Sequence, residues 1–71
     1  MKIKFNTLQH IQAYLPASLQ RQAIDLIEIA DRGFVYTTPA YHDAVLALVN
    51  ADVLVPDPIE NRKYNIKEVY L

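Results

Sequence analysis

Two histidines, one serine and eight carboxylates are the side chains of this 71-residue chain that first invite a catalytic reading. The neighbours His42 and Asp43 have the residue types of a general base and its orienting acid, and His10 that of a metal ligand. Their spacing argues against both. Adjacent residues on a helix point about 100° apart, so Asp43 cannot hold the His42 ring from the next position. His10 lies far from His42 in sequence and has no second ligand beside it. Ser18 stands just ahead of a long apolar-periodic stretch and reads as a helix cap rather than a nucleophile. The single glycine leaves no glycine-rich phosphate loop. The absence of cysteine removes disulfides, thiolate nucleophiles and zinc–thiolate sites. Asp25, Glu28 and Arg32 fall on one helical face, but the Glu28–Arg32 spacing describes a solvated ion pair worth about 0.2–0.5 kcal/mol. No catalytic residue, metal site or cofactor is expected, and the chain reads as a non-enzyme.

Charge is distributed unevenly, although the net value is only −1. Residues 25–60 hold Asp25, Glu28, Asp31, Asp43, Asp52, Asp57 and Glu60 against Arg32 alone, while Lys2, Lys4 and Arg21 precede them and Arg62, Lys63 and Lys67 follow. Asp25, Glu28 and Asp31 on one helix, with His42, Asp43 and Leu46 on the next, form a candidate acidic and apolar surface for a protein partner. A basic nucleic-acid-binding protein is among the partners it would suit. The basic ends offer an alternative. Lys2, Lys4, Arg62, Lys63, Tyr64 and Lys67 would interleave cations with an aromatic ring, as single-stranded nucleic acid requires. Lysines on an edge strand also guard against aggregation, which is the plainer explanation for them.

The elements that must position these residues follow from periodicity. Met1, Ile3 and Phe5 alternate with Lys2 and Lys4, the pattern of a half-buried strand over about residues 2–5. Asn6 or Thr7 can cap a helix over about 8–15, in which Leu8, Ile11 and Leu15 share a face and Pro16 ends it. Leu19, Ala23, Leu26, Ile27 and Ala30 make a stripe in a second helix over about 19–32, closed by Gly33. Residues 34–37 read as a short extended segment. Thr38-Pro39 starts a third helix, over about 39–50, with Tyr41, Ala44, Val45, Leu48 and Val49 on its apolar face. Val53–Val55 and about 63–70 are expected strands, the second with a bulge near Lys67-Glu68 where the alternation changes parity. The expected core is Ile11, Leu15, Leu19, Ala23, Leu26, Ile27, Val45, Leu48, Val49, Val53 and Ile66.

These elements make one α+β domain over residues 1–71, with a three-helix core, a C-terminal β-hairpin and the N-terminal strand placed beside the hairpin. Helices followed by a hairpin give a winged-helix-like order, a likeness of topology without a sequence motif. If the second and third helices formed a helix-turn-helix, the third would be the recognition helix. Yet no Arg or Lys occurs from Gly33 to Asn61, and Asp43 would face phosphate with the wrong sign. The leading expectation is therefore a small regulatory or inhibitory protein-binding module in the cytoplasm. A winged-helix nucleic-acid binder is the alternative. Ile29, Phe34, Tyr36, Leu46, Ile59 and Tyr70 are surplus to a one-sided core and point to an interaction surface or a homodimer. No apolar run reaches the roughly 18 residues of a membrane span.

Overall fold

The structure, a computed structural model, describes residues 2–71. Helix α1 runs over Phe5–Tyr14 and α2 over Ala17–Ile29; strand β1 (Phe34–Tyr36) follows, then a 3-10 turn (Pro39–Tyr41) leading directly into α3 (His42–Asn50). Strands β2 (Leu54–Pro56) and β3 (Lys63–Ile66) come next, and a 3-10 turn (Glu68–Tyr70) ends the chain. The fold is α+β. Three helices pack on one face of an antiparallel sheet in the order β1-β3-β2, so the last strand is the central one. Phe34 pairs with Asn65, and Val55 pairs with the same Asn65 from the other side.

Pro16 separates the first two helices. Leu15 is extended (φ −99°, ψ 147°), as the residue before a proline must be. The Gln20 amide donates to the Gln12 and Leu15 carbonyls, at 3.3 and 3.1 Å, and so satisfies acceptors that the end of α1 leaves open. The expected N-terminal strand does not form. Helix α1 begins at Phe5, with Lys4 as its N-cap residue, and neither Asn6 nor Thr7 caps it. Five alternating residues are too few to distinguish a strand from a frayed helix entry. Met1 lies outside the described residues.

Helix α2 stops three residues earlier than its stripe implies. Ala30 takes an inverse γ conformation (φ −83°, ψ 80°), and Asp31 N–H donates to the Ile29 carbonyl at 3.0 Å. Gly33 then supplies the left-handed turn (φ 81°) into β1. Pro16, not Ser18, occupies the N-cap of α2. Helix α3 ends in a Schellman motif, with Val53 N–H bonded to the Leu48 carbonyl and Asp52 N–H to the Val49 carbonyl. Asp52 occupies the left-handed position (φ 67°) that glycine usually fills. Its carboxylate meets Lys67 Nζ at 2.6 Å.

The core lies between the helices and the inner face of the sheet. Ile11, Ala23, Ile27, Val45, Leu48 and Val53 are fully buried, and Leu15, Leu26, Val35, Leu54 and Ile66 nearly so. Leu19 and Val49, expected in this set, are only half-buried. Residues 68–70 turn into a 3-10 helix instead of extending the strand. This turn docks on α1: the fully buried Thr7 hydroxyl donates to the Tyr70 carbonyl at 3.1 Å, and the Asn6 amide to that of Val69 at 3.3 Å. Among the described residues no helix is long and apolar enough to cross a membrane.

Two substitutions test this packing. Leu26→Ala removes a nearly buried side chain of α2 and is expected to cost about 2–5 kcal/mol in urea unfolding. Thr7→Val keeps the volume and removes the hydroxyl, leaving the Tyr70 carbonyl short of a donor, at an expected cost of about 1–3 kcal/mol. An unchanged unfolding midpoint for Leu26→Ala would show that α2 does not pack on this core.

Candidate functional site

The residues singled out in sequence separate into three places. Asp43 and Leu46 enter a groove between α3 and the α1–α2 elbow, lined also by Tyr14, Pro16, Leu19, Ala47, Asn50 and Ala51, with a volume of about 470 Å³. Asp43, Leu46, Ala47 and Asn50 recur at the spacing of one helical stripe. That stripe faces away from the buried Ala44, Val45 and Leu48. Leu46 is 44% exposed and Tyr14 69%. The Tyr14 ring rests against that of His10, centroids 4.6 Å apart. Among the described residues no ion pair takes up the Asp43 carboxylate.

Asp25, Glu28 and Asp31 belong to α2 and the turn after it and do not line this groove. Asp25 pairs with Arg21 at 3.5 Å along the helix. His42 lies in a different cleft, of about 290 Å³, with Thr37, Thr38, Pro39 and Arg62. Of the expected acidic and apolar surface, Asp43 with Leu46 is the part that adjoins this apolar recess.

The basic set is divided too. Without an N-terminal strand, Lys2 and Lys4 have no sheet pairing to bring them beside the hairpin. Lys63 stands 3.5 Å from the Glu60 carboxylate and 3.9 Å from that of Asp57, with its ammonium 4.2 Å from the centre of the Phe34 ring. Lys67 is paired with Asp52. Tyr64 shares its sheet face with Val35 and packs against the core. Arg62 is exposed in a left-handed conformation (φ 65°).

His10 is a structural residue. A carbonyl can only accept, so His10 Nε2 donates to the Ala51 carbonyl at 2.6 Å, at the C-cap of α3. In the neutral ring Nδ1 then accepts from the Tyr70 hydroxyl at 3.3 Å. Its ring lies between Tyr14 and Tyr70. Among the described residues no group of three histidines or carboxylates is gathered for a metal ion.

The β2–β3 loop surrounds the Asp57 carboxylate with donors. Asp57 Oδ1 accepts from the Ile59 and Glu60 amides at 2.9 and 2.8 Å, and Oδ2 from the Asn65 amide at 3.0 Å. The Glu60 amide chiefly, then the Asn65 and Ile59 donors, hold its carboxyl down at about 2. Tyr36 donates its hydroxyl to Glu60 Oε1 at 2.8 Å, and that bond, with the nearby carboxylate charges, raises its pKa.

Comparison with family models, with curated proteins and with solved structures gives no match. The groove must therefore be read from its own residues. Tyr14 was not singled out in sequence, Leu19 was expected in the core, and Asn50 entered only as the end of the third helix. Tyr14 and Asn50 are each unremarkable beside a helix end, and only the fold brings them next to Leu46. Asp57 entered the sequence reading as one of the acidic residues, and aspartate is also a residue whose side chain closes turns on its own backbone.

The Asp57 pKa fixes a pH dependence. Its folded value, about 2, lies below the ordinary 3.8, so the ionised carboxylate stabilises the fold above about pH 4. That contribution is lost as pH falls through about 2. Urea unfolding should show the wild type weakening between pH 4 and 2, and Asp57→Asn weakening less over the same interval. Superimposable pH profiles would mean that this carboxylate is not held as described.

Proposed function

We propose that the protein is a small, non-enzymatic, intracellular protein-binding module, and that the groove beside α3 receives its partner. One observation carries this reading: Asp43, Leu46, Ala47 and Asn50 form a second, outward stripe on a helix whose opposite face is already buried. Ala47 still packs partly against the core, but Leu46, the exposed apolar member of the stripe, is not needed for it. Leucine beside a tyrosine wall, rimmed by one carboxylate and one amide, has the make-up of an interaction surface. Asp43 also suits the first turn of α3, where the helix dipole favours an anion, but that leaves Leu46 and Tyr14 unexplained. A chain of 71 residues with no catalytic constellation acts on a partner by occupying its surface, hence a regulatory or inhibitory role.

The nucleic-acid reading draws less support. Binding to phosphate depends on free cations. Lys63 and Lys67 are engaged by carboxylates of this chain, and the β2–β3 loop carries Asp57 and Glu60 where a wing would need basic residues. A strand and a 3-10 turn, not a turn of 3–4 residues, separate α2 from α3.

Affinity capture from a lysate of the source organism tests the proposal, run with and without nuclease on wild type, Leu46→Glu and Arg62→Glu/Lys63→Glu. The expected result is a captured protein that resists nuclease, survives the double reversal and is lost with Leu46→Glu. Capture that needs nucleic acid, or that Leu46→Glu leaves intact, would overturn the reading.

A further inference from the structure

We infer that the occupant of the α3 groove is an amphipathic helix carrying a lysine or arginine; this rests on the protein-binding reading and names the partner's chemistry. The walls decide the secondary structure. An extended peptide docks by pairing its backbone with an open strand edge, whereas a helix docks by side chains alone. No strand lines this groove, so it presents no strand edge to pair with. Mid-helix backbone groups of α3 are bonded within the helix, Pro16 has no N–H, and the carbonyls of Gln12 and Leu15 at the elbow already accept from Gln20.

The shape agrees. From Asp43 to Asn50 the stripe spans about two helical turns, roughly 10 Å at 1.5 Å per residue. Ala47 lies at its middle with Leu46 beside it, so a second helix can approach to within about 8–10 Å and seat its apolar ridge between Leu46 and Tyr14.

The charge decides the partner's sign. Asp43 is the only ionised group among the lining residues. A second copy of this chain docked on the same face would bury two Asp43 carboxylates with no cation from either groove, which is costly. A basic residue one turn from the partner's apolar anchors would meet Asp43 at the groove's end and leave no like-charge contact.

Three synthetic 18-residue peptides of leucine, lysine and alanine, or their glutamate counterpart, serve as probes. The first places leucines at helical spacing with lysines alongside. The second replaces its lysines by glutamate. The third has the first peptide's composition rearranged to strict alternation, which favours a strand. Amide chemical shifts of the labelled full chain locate binding, and anisotropy gives affinity. The expected result is that the first peptide shifts Leu46, Ala47 and Asn50 and binds more tightly than the other two. Asp43→Lys should weaken it about two- to tenfold, since an attraction becomes a repulsion, and improve the glutamate peptide. Leu46→Glu should abolish binding.

Equal affinity for the two helical peptides would overturn the inference, as would failure of the first peptide to bind. Preference for the alternating peptide, with shifts at the β1 edge, would also overturn it. So would a dimer of this chain that Leu46→Glu dissolves. If lysate capture depends on Leu46 while the first peptide fails, the groove reading stands and the helical partner does not.

Discussion

The carboxylate of Asp57 turns the chain between β2 and β3, and the sheet depends on that turn. Both oxygens are used, one on the amides of Ile59 and Glu60 and the other on the side chain of Asn65 in the returning strand. The loop is thereby tied to the strand it launches. Asp57 N–H also donates to the Lys63 carbonyl, which fixes the register at the start of β3. Because β3 is central, this register determines both of its neighbours: β1 through Val35 and Tyr64, and β2 through Leu54 and Ile66. Helix α3 connects β1 to β2, so fixing the two strands on either side of β3 also fixes where α3 lies. Its face bearing Val45 and Leu48 is pressed on the core, and the stripe with Leu46 is left outside.

Helix α1 is held differently. Within it only Thr7 and Ile11 are buried, with Leu15 added at its end. That is a thin apolar footing for ten residues, and polar contacts supplement it. Thr7 and Asn6 bind the last turn of the chain, while His10 joins the C-cap carbonyl of α3 to the Tyr70 hydroxyl. Each such bond contributes only about 0.5–1.5 kcal/mol net, but breaking one leaves a partly buried group unpaired. The tie also has a positional consequence. His10 supports the Tyr14 ring, and Tyr14 forms one wall of the α3 groove. The contact that anchors α1 therefore also shapes the candidate site.

What could be read from the sequence was what repeated over several turns. The stripe of α2 located Ala23, Leu26 and Ile27, and Thr38-Pro39 located the 3-10 turn that precedes α3, which itself begins three residues later than expected, at His42. Short segments misled. Met1 to Phe5 alternate like a strand, but Phe5 opens a helix and is 73% exposed. The parity change at Lys67-Glu68 read as a bulge, whereas the strand simply ends and turns back onto α1. The polar ties were not readable because they join residues about sixty positions apart, as with Thr7 and Tyr70. Of the apolar residues read as surplus, Ile29, Tyr36, Leu46 and Ile59 are exposed, but Phe34 and Tyr70 are not, and the exposed Phe5, Tyr14, Val55 and Val69 were not among them. Phe34 is partly covered beneath Lys63, and Tyr70 is half-buried against His10.

The uneven charge of the sequence takes on a different meaning in the fold. The acidic middle and the basic end are not two separate surfaces, because β3 returns beside the segments that carry the acids. Lys63 then meets Asp57 and Glu60, and Lys67 meets Asp52. Both lysines still have more than a fifth of their side chains exposed, so these pairs add little stability. Their larger effect is on the surface field, since a cation beside a carboxylate presents little net charge to a distant phosphate. Asp43 has no such pairing among the described residues, and the groove that it lines holds no basic residue. A charge left uncompensated beside exposed leucine and tyrosine gives that groove a sign as well as a shape, and sign is what discriminates between partners of similar apolar area.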